Sequence, residues 1–285
     1  TNPELFNLGD STSATQLPVM TTTQRIAMTG LSVGEMIFNS TTDKVEYWDG
    51  TKWYGITYEA PQIPIPATLI SFLNANNPSS YDGSQGSTWT DLTTNVNNGT
   101  LVNTPTWTST GYFNFNGSNQ YVDMGTLSNI NFSSNWSYSL WFNINAWGSL
   151  IPTLLGAFDG TYLYTALDAS GTRLRTTYYT SGLNQYDLYS SNLSLNTWYN
   201  VTVTISNITG LTVYVYDNTN LLQTLSAAGA TGSPYTSSGK TLWGAYQSTA
   251  SRTYYFNGQI AQARIYNDDL SASDAAVIHA QGKGF

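Results

Sequence analysis

Carboxyl groups are the side chains of this protein that could support acid–base chemistry, and their distribution along the chain is uneven. The glutamates all lie in the first 59 of the 285 residues, at Glu4, Glu35, Glu46 and Glu59. A retaining or inverting glycosidase needs two carboxyl groups, one of which has a pKa high enough to donate a proton. After residue 59 the only adjacent acids are Asp268 and Asp269, and neighbouring side chains on a strand point to opposite faces. We therefore expect this pair to lie in a turn and the protein not to be an enzyme.

Metal, thiol and triad chemistry are restricted in the same way. The chain contains no cysteine and a single histidine, His279. Zinc sites built from Cys and His need several such ligands, and a disulfide needs two cysteines. His279 follows Val277 and Ile278 near the end of a predicted C-terminal helix. We expect it to cap that helix or lie on the surface rather than act in a Ser-His-Asp triad.

The charge of the chain argues against two classes of partner. Charged residues make up 9% of the sequence and the net charge is −8. Residues 1–60 carry three basic and seven acidic side chains, and residues 61–285 carry six and ten, so each part has a net charge of −4. Because neither part has a basic patch, we expect no nucleic-acid binding. No run approaches the roughly 18 apolar residues of a membrane span, and Thr1 follows no leader, so we expect a soluble protein without membrane insertion.

The elements that would position these side chains fall into three predicted regions, at residues 1–57, 58–68 and 69–285. In the first region, residues 35–39 and 44–48 form a predicted hairpin, and Asp49-Gly50 turns the chain into a third strand at 51–54. Residues 16–20 are predicted to be extended, and residues 21–29 to form two helical turns at most. A three-stranded sheet of this size buries little apolar area. We therefore expect this region to oligomerise or to dock on another surface.

The second region is a predicted stiff linker, and the third is a predicted β-sandwich. Pro61, Pro64 and Pro66 restrict the backbone of residues 58–68. From Leu69 onward, turn residues separate short strands, for example at 112–115, 138–144, 173–179, 198–205, 211–216 and 259–266. Residues 140–144 and 201–205 alternate with a period of two, which is typical of strands with one buried and one solvated face. The pattern predicts an all-β, two-sheet antiparallel sandwich, closed by one short helix that begins with a capping box at 271–274 and ends near Gly282.

Four segments of the third region resemble motifs of the concanavalin A-like, laminin-G-like jelly-roll family. They are Trp89-Thr90-Asp91-Leu92 with Asn97-Asn98-Gly99-Thr100-Leu101, Phe113 to Val122, Leu195 to Val201 with Trp198-Tyr199, and Phe256 to Ser271 with Arg264-Ile265-Tyr266-Asn267. Their order and spacing imply that residues 69–285 form a jelly roll. Asn116-Gly117 and Asn257-Gly258 are also hairpin-turn dipeptides, and Phe115, Trp198 and Tyr266 are expected to anchor the core.

Residues 1–57 carry a second resemblance. Leu17 to Arg25, Gly34 to Asn39 and Tyr47 to Trp53 resemble a short module that recurs in bacteriophage fibres and other virion structural proteins. The resemblance implies attachment to other virion structural proteins and assembly as a homotrimer. A similar repeat occurs in secreted bacterial proteins, so the source of the chain stays open.

Together the resemblances imply a virion structural protein, a phage fibre or capsid decoration protein, located on the virion surface or outside the cell. Jelly rolls of this kind bind sugars through aromatic rings and hydrogen-bonding side chains, so a host-surface or environmental glycan is the expected ligand. The candidate ligand residues lie in one tyrosine-rich stretch, where half of the side chains should point outward. They are Tyr162, Tyr164, Arg173, Arg175, Tyr178, Tyr179, Tyr186 and Tyr189.

The same family often holds calcium through carboxylates and backbone carbonyls in its loops. Asp82, Asp91 and Asp123 are the candidate ligands. The sequence contains no Asp-rich D-x-D-x-D-G loop, although calcium needs six to eight oxygen ligands. We therefore predict no definite cofactor, with Ca²⁺ as the ion to test.

Two other functions stay open at this stage. The jelly roll fits a secreted bacterial carbohydrate-binding module or adhesin equally well. A glycoside hydrolase on the same fold is a further alternative, but the glucanase relatives use an E-x-D-x-x-E strand and nothing of that form follows residue 59.

Overall fold

The computed structural model describes residues 17–56, 68–148, 151–157, 163–168, 172–182, 184–231, 241–247 and 252–283. The chain forms two compact units, Thr1–Gln62 and Ile63–Phe285. Of the predicted linker at 58–68, only Thr68 is among the described residues, and the candidate Tyr162 lies outside them. The predicted boundaries of the three regions stay predictions. Neither described helix has the length and apolarity that crossing a membrane requires.

The N-terminal unit is a small sheet with one helix. Its elements are β1 (Val19–Met20), α1 (Thr22–Ile26), β2 (Met36–Asn39), β3 (Lys44–Trp48) and β4 (Trp53–Ile56), and the sheet order is β1-β2-β3-β4. The strands β2, β3 and β4 are antiparallel, as the sequence predicted, whereas β1 adds to β2 in parallel. A two-residue strand has no periodicity that could reveal it in advance.

A buried carboxylate ties α1 to this sheet. Glu46 on β3 is 4% exposed and accepts hydrogen bonds from Arg25 on α1, from Asn39 at 3.0 Å and from Thr42 at 3.1 Å. Burial alone would raise the pKa of Glu46, but the hydrogen bonds from Arg25, Asn39 and Thr42 outweigh it and lower the pKa. The helix begins at Thr21, whose side chain accepts from the Gln24 backbone N–H in a capping box.

The second unit contains eighteen of the described strands and the second helix. In chain order they are β5 (Leu69–Asn74), β6 (Thr88–Trp89), β7 (Gly99–Val102), β8 (Thr106–Thr108), β9 (Tyr112–Asn116), β10 (Tyr121–Asp123), β11 (Trp136–Ile144), β12 (Thr153–Ala157), β13 (Leu163–Leu167), β14 (Arg173–Tyr179), β15 (Gln185–Asn192), β16 (Trp198–Ser206), β17 (Gly210–Tyr216), β18 (Leu221–Ala227), β19 (Thr241–Trp243), β20 (Tyr246–Gln247), β21 (Arg252–Thr253), β22 (Asn257–Tyr266) and α2 (Ala272–Ala280).

Two antiparallel sheets form a sandwich. Sheet I has the order β18-β17-β16-β11-β22-β9-β8, with β5 also paired to β22, and sheet II has the order β15-β14-β13-β12-β19-β10-β7-β6. The predicted all-β sandwich with a closing helix is therefore confirmed. The strands β20 and β21 pair with each other in a separate two-stranded antiparallel sheet.

The core lies between the inner faces of the two sheets. Fully buried aromatic rings dominate it, among them Trp136, Tyr138 and Phe142 of sheet I and Trp243 of sheet II. The hydroxyl groups of Tyr138 on β11 and Thr165 on β13 hydrogen-bond across the core. A buried hydroxyl costs free energy unless it has a hydrogen-bond partner. This hydrogen bond therefore connects the two sheets and leaves neither hydroxyl unpaired.

The outer face of sheet I is covered where α2 packs on it. All nine residues of β11 and residues 199–206 of β16 are buried, so the predicted solvated faces of 140–144 and 201–205 are wrong. His279 on α2 stacks between Trp141 and Tyr216, with ring centroids 5.4 and 4.4 Å apart, and its Nε2 lies 2.8 Å from the carbonyl oxygen of Asp217. The histidine therefore fixes the helix to the sheet, through packing rather than through the predicted cap or surface position. The predicted capping box is present, because Ser271 caps α2 and pairs with Asp274.

One predicted turn is a strand. Gly117 has a φ of +70° and ends β9 in a turn, but Asn257 and Gly258 begin β22 and pair with Asn116 and Phe115. A Cβ atom on Gly258 would lie 2.2 Å from the carbonyl oxygen of Asn143. This glycine is therefore required for close backbone approach rather than for a turn.

Candidate ligand-binding surface

The hairpin of β14 and β15 forms one edge of sheet II, and its two faces have different characters. Arg173, Arg175 and Tyr179 alternate on the outer face of β14, while Leu174, Thr176 and Tyr178 point into the sandwich. Cross-strand pairing places Asp187 opposite Thr177 and Tyr189 opposite Arg175, and it places Tyr164 of β13 opposite Thr177. These outer residues share one surface, which we call the arginine–tyrosine face and define as Tyr164, Arg173, Arg175, Tyr179, Asp187 and Tyr189.

Guanidinium groups and phenol rings alternate across the arginine–tyrosine face. The guanidinium carbon of Arg175 lies 5.6 Å from the ring centroid of Tyr164 and 5.7 Å from that of Tyr189. The guanidinium carbon of Arg173 lies 4.8 Å from the Tyr189 ring. Such cation–π contacts hold the rings and the cations in fixed positions. Tyr189 remains 37% exposed, so part of its ring is open to a ligand.

Two further tyrosines extend this row from outside the sheet. Tyr246 of β20 meets Tyr164 edge to face with centroids 5.6 Å apart, and the Tyr254 ring lies 5.9 Å from that of Tyr246. Tyr254 has a φ of +56°, a left-handed conformation that costs a bulky residue about 1–3 kcal/mol. A hydrogen bond of 2.8 Å from the Thr153 N–H to the Tyr254 carbonyl holds it. This unfavourable backbone conformation places the Tyr254 ring beside the Tyr246 ring.

The charges of the arginine–tyrosine face are balanced by ion pairs. Arg175 donates two hydrogen bonds of 3.1 Å to the carboxylate of Asp187, and Arg173 donates one of 2.6 Å to Asp168. Partial burial acts to lower the pKa of Arg175, but the neighbouring Tyr164 and Asp187 raise it overall. Arg175 therefore stays charged, and each arginine faces one carboxylate.

A hydrogen-bond chain orders the polar groups beside these ion pairs. Asp187 also accepts from the Thr177 hydroxyl at 2.6 Å and from the Gln185 amide at 2.8 Å. The Tyr179 hydroxyl donates to Gln185 at 2.7 Å. Sugar hydroxyls both donate and accept hydrogen bonds, so an ordered set of donors, acceptors and ring faces is what a saccharide site requires.

Two of the predicted ligand residues are not on this surface. Tyr178 is fully buried in the core, and burial raises its pKa to about 12. Tyr186 points to the inner side of the hairpin, packs against the core and donates a 2.6 Å hydrogen bond to the carbonyl of Gly229. Both assignments are corrected, because β-strand alternation turns these side chains away from the outer face. Tyr164, Arg173, Arg175, Tyr179 and Tyr189 do lie together.

The three aspartates predicted as calcium ligands have separate structural roles. Asp91 is buried and accepts from the backbone N–H groups of Phe72, Thr93 and Asn97 at 2.8–3.0 Å. Asp82 is exposed and accepts from Ser84 in its own turn, while Asp123 accepts from the Gly125 N–H. Within the described ranges, no three His, Asp or Glu side chains form a group that could hold a metal ion. The structure therefore does not bring Asp82, Asp91 and Asp123 into one site.

The adjacent acids Asp268 and Asp269 lie in the predicted turn between β22 and α2. Burial and the neighbouring Asp269 raise the pKa of Asp268. Burial works against ionisation of Asp269 as well, but hydrogen bonds from Ser206 and Asn135 lower its pKa. Asn135 donates to Asp269 at 2.9 Å, and Ser137 donates to the Asp268 carbonyl at 2.8 Å. These contacts attach the start of α2 to sheet I.

The N-terminal unit contains a pocket of about 360 Å³. Aromatic, aliphatic and basic side chains line it, including Arg25, Met28, Trp48, Lys52 and Trp53. It lies on the side of the sheet that carries α1 and is distinct from the arginine–tyrosine face.

Four components of the candidate surface were not predicted from the sequence. Asp187, Gln185, Tyr246 and Tyr254 join it only through cross-strand pairing or through the position of the β20–β21 hairpin. The alternation of β15 was a usable signal for Asp187, because it places residue 187 on the same side as Tyr189. No local signal connects Tyr246 to Tyr164.

Comparison with known proteins gives two family matches. Residues 116–276 match the concanavalin A-like lectin/glucanase superfamily, in its Laminin_G_3 family, and residues 3–69 match a phage tail-like trimerisation region. No curated protein matches the chain.

Solved structures with a similar fold are distant in sequence. A Trypanosoma rangeli sialidase in complex with sialic acid has a TM-score of 0.57 at 18% identity, over 76% of this chain and 34% of that one. The botulinum neurotoxin serotype D ligand-binding domain in complex with N-acetylneuraminic acid has a TM-score of 0.56 at 12% identity, over 75% and 51%. The binding domain of botulinum neurotoxin DC in complex with rat synaptotagmin II has a TM-score of 0.50 at 16% identity, over 75% and 51%. The chain thus spans about a third to a half of these proteins, and at such identity the likeness concerns the fold alone.

Proposed function

Because this chain belongs to the concanavalin A-like lectin/glucanase superfamily, we propose that its second unit is a non-enzymatic glycan-binding domain of a virion structural protein. In this proposal the N-terminal unit joins the protein to a phage fibre or capsid, and the jelly roll is presented on the virion surface. Its ligand is a glycan of the host surface or of the surrounding medium.

The observation that carries the glycan proposal is the arginine–tyrosine face. It combines a partly exposed ring, Tyr189, with ordered donors and acceptors at Arg173, Tyr179 and Asp187. Aromatic rings stack on the apolar faces of sugars, while fixed polar groups select the hydroxyl pattern. A preordered surface binds with less loss of conformational entropy than a mobile one.

The balance of charge favours a neutral saccharide. Both arginines of the face are paired with aspartates, and the protein as a whole has a net charge of −8. An anionic sugar would have to compete with Asp187 or Asp168 for a guanidinium and would approach a molecule of like charge. Two of the structurally similar proteins are described in complex with sialic acid or N-acetylneuraminic acid. The paired arginines here support a different, uncharged ligand class.

The N-terminal match supports the virion part of the proposal. Residues 3–69 match a phage tail-like trimerisation region, and a trimeric fibre would present three copies of the jelly roll. Multivalent presentation raises the overall avidity of weak sugar sites by about 10²–10⁴ when the sites can engage together. A weak, neutral glycan site is therefore compatible with firm attachment.

A glycan array tests this proposal directly. The purified chain is applied to matched neutral and sialylated glycans, and an antibody against it is applied to purified virions or phage tail-like particles. The proposal requires binding to at least one neutral glycan class and labelling of the particles. Binding to glycans without particle labelling would favour the alternative of a secreted carbohydrate-binding module or adhesin.

The same preparation addresses the third alternative, glycoside hydrolysis. The proposal predicts that no reducing ends are released from the glycans that bind. Release that is abolished by Asp268→Asn or Asp269→Asn would replace the binding function with an enzymatic one.

A further inference from the structure

One face of the N-terminal sheet carries mainly apolar side chains and is open, with the Lys52 ammonium 4.6 Å from the ring centroid of its Tyr54. Cross-strand pairing aligns Met36, Tyr47 and Tyr54 in one row and aligns Phe38 with Val45 in the next, while Val19 of β1 lies beside Phe38. We call this surface the apolar sheet face and define it as Val19, Met36, Phe38, Val45, Tyr47 and Tyr54. The exposed fractions of Val19, Met36, Tyr47 and Tyr54 are 56%, 41%, 38% and 39%.

The opposite face of the same sheet differs in chemistry. Ile37, Asn39 and Glu46 point to that side and are 2%, 0% and 4% exposed. Arg25 and Thr22 of α1 bond to Glu46 and Asn39 there. The helix thus covers the face that carries the polar network, whereas large apolar side chains remain exposed on the other.

The apolar sheet face has the features of a protein interface. Tyr47 and Tyr54 stack with ring centroids 5.6 Å apart and planes 19° from parallel, so they form a rigid aromatic surface. Interface cores are enriched in Tyr and Met and depleted in charge. A partner on this face would remove its exposed apolar area from water and so stabilise the unit.

We propose that the apolar sheet face is the surface through which three copies of this chain associate, with Tyr47 and Met36 pointing toward the threefold axis. This inference rests on the trimer of the proposed function and assigns the residues that make it. A surface that points at a threefold axis contacts both neighbouring copies, so one patch per chain is sufficient to close the assembly. The match of residues 3–69 to a trimerisation region supports a second copy of the same chain as the occupant.

Site-specific cross-linking tests the assignment without interference, because the chain contains no cysteine. Tyr47→Cys introduces a single thiol on the apolar sheet face, and Ile26→Cys introduces one on α1, where Ile26 is 71% exposed. In the full chain, a short bifunctional maleimide is expected to link Tyr47→Cys into covalent pairs, visible at twice the chain mass, while Ile26→Cys stays single. Linking of Ile26→Cys but not of Tyr47→Cys would overturn the assignment.

A charge variant supplies the second, independent readout. Tyr47→Lys places three like charges near the axis and is expected to convert the trimer to monomers in light scattering, whereas Tyr47→Phe and Ile26→Lys keep the trimer. A trimer that persists in Tyr47→Lys overturns the assignment even if the variant folds normally.

The test separates failure of this inference from failure of the trimer itself. A wild-type chain that is monomeric at every concentration contradicts both. A monomer whose Tyr47→Cys thiol becomes reactive only after removal of residues 1–16 would identify that segment as the occupant and would likewise contradict the proposal.

Discussion

The guanidinium of Arg175 holds the carboxylate of Asp187 through two parallel hydrogen bonds of 3.1 Å across the β14–β15 hairpin. The guanidinium carbon of Arg175 lies 5.6 and 5.7 Å from the ring centroids of Tyr164 and Tyr189. The ion pair with Asp187 fixes the position of the cation and also neutralises it. The account of a neutral ligand depends on this relationship.

Asp187→Asn is expected to change the class of ligand. The substitution keeps the shape of the side chain and removes the charge that occupies Arg175, so an anionic sugar gains an accessible guanidinium. A hydrogen bond to a charged group contributes about 1.5–3 kcal/mol, and we therefore expect affinity for sialylated glycans to rise about tenfold or more. Parallel titration of wild type and variant with one neutral and one sialylated oligosaccharide measures the effect.

Asp217→Asn is the matched control for that experiment. Asp217 lies in the turn between β17 and β18, outside the arginine–tyrosine face. Its substitution by Asn changes the net charge of the protein by the same amount as Asp187→Asn. If it raises binding of the sialylated glycan as much as Asp187→Asn does, general charge rather than Arg175 explains the gain. The assignment of the neutral class to this ion pair would then be wrong.

Tyr189→Ala and Tyr178→Ala should separate binding from stability. Tyr189 is partly exposed, so its removal is expected to abolish most glycan binding with little change in melting temperature. Tyr178 is fully buried, and truncation of a buried aromatic costs about 3–5 kcal/mol of unfolding free energy. Thermal unfolding and glycan titration of both variants measure the two effects, and a Tyr178→Ala protein of unchanged stability would refute its placement in the core.

The phase of β14 could not be derived from sequence, and this explains the misplaced tyrosines. Residues 173–179 carry Arg, Thr or Tyr on both faces except at Leu174, so period-two alternation predicts that half point outward but barely indicates which half. By contrast, the boundaries of β14 were predicted to the residue and those of β16 within one residue, because turn residues flank both strands in the sequence. The predicted start of β22 is two residues late, since Asn257 and Gly258 belong to the strand and not to a turn. Tyr246 and Tyr254 were missed because only long-range packing brings them to Tyr164.

Asp91→Ala is expected to destabilise the second unit without any metal being involved. Its carboxylate accepts hydrogen bonds from three backbone N–H groups, and leaving buried donors unpaired costs about 1–3 kcal/mol. A chelator should leave the melting temperature of wild type unchanged. Asp82→Ala, at an exposed turn, serves as the control, with a smaller loss of stability. A fall in melting temperature on chelation, reversed by Ca²⁺, would show that these loops hold an ion.

Glu46 gives the N-terminal unit a defined pH dependence. Its pKa is lowered in the folded protein from an ordinary value of 4.5, so its contribution to stability is present above pH 4.5 and is lost as the pH falls through the folded pKa. In wild type, hydrogen exchange of the backbone amides of β2–β4, corrected for intrinsic rates, should accelerate as the pH falls from 4.5 through the folded pKa of Glu46. Glu46→Gln should remove this pH dependence and exchange faster at neutral pH, whereas Glu35→Gln should behave like wild type. Equal pH responses in all three proteins would contradict the role of Glu46.

Two features of the fold could not be predicted from the sequence: the parallel pairing of β1 with β2 and the burial of both faces of β11. Val19–Met20 is too short to carry a pattern, and its partner lies across α1. Trp141 alternates with core residues as a solvated position would, but α2 covers it through His279. Helix-to-sheet docking of this kind is not encoded in the periodicity of either element.

The most direct test of the account is a titration of the wild-type chain and of Tyr189→Ala with the best neutral glycan from the array, followed by saturation-transfer NMR. The account predicts measurable binding by wild type, transfer of saturation from the protein to protons on the apolar face of the sugar, and loss of both in a Tyr189→Ala variant that melts at the wild-type temperature. Absence of binding to any glycan, or binding that Tyr189→Ala leaves unchanged, would contradict it.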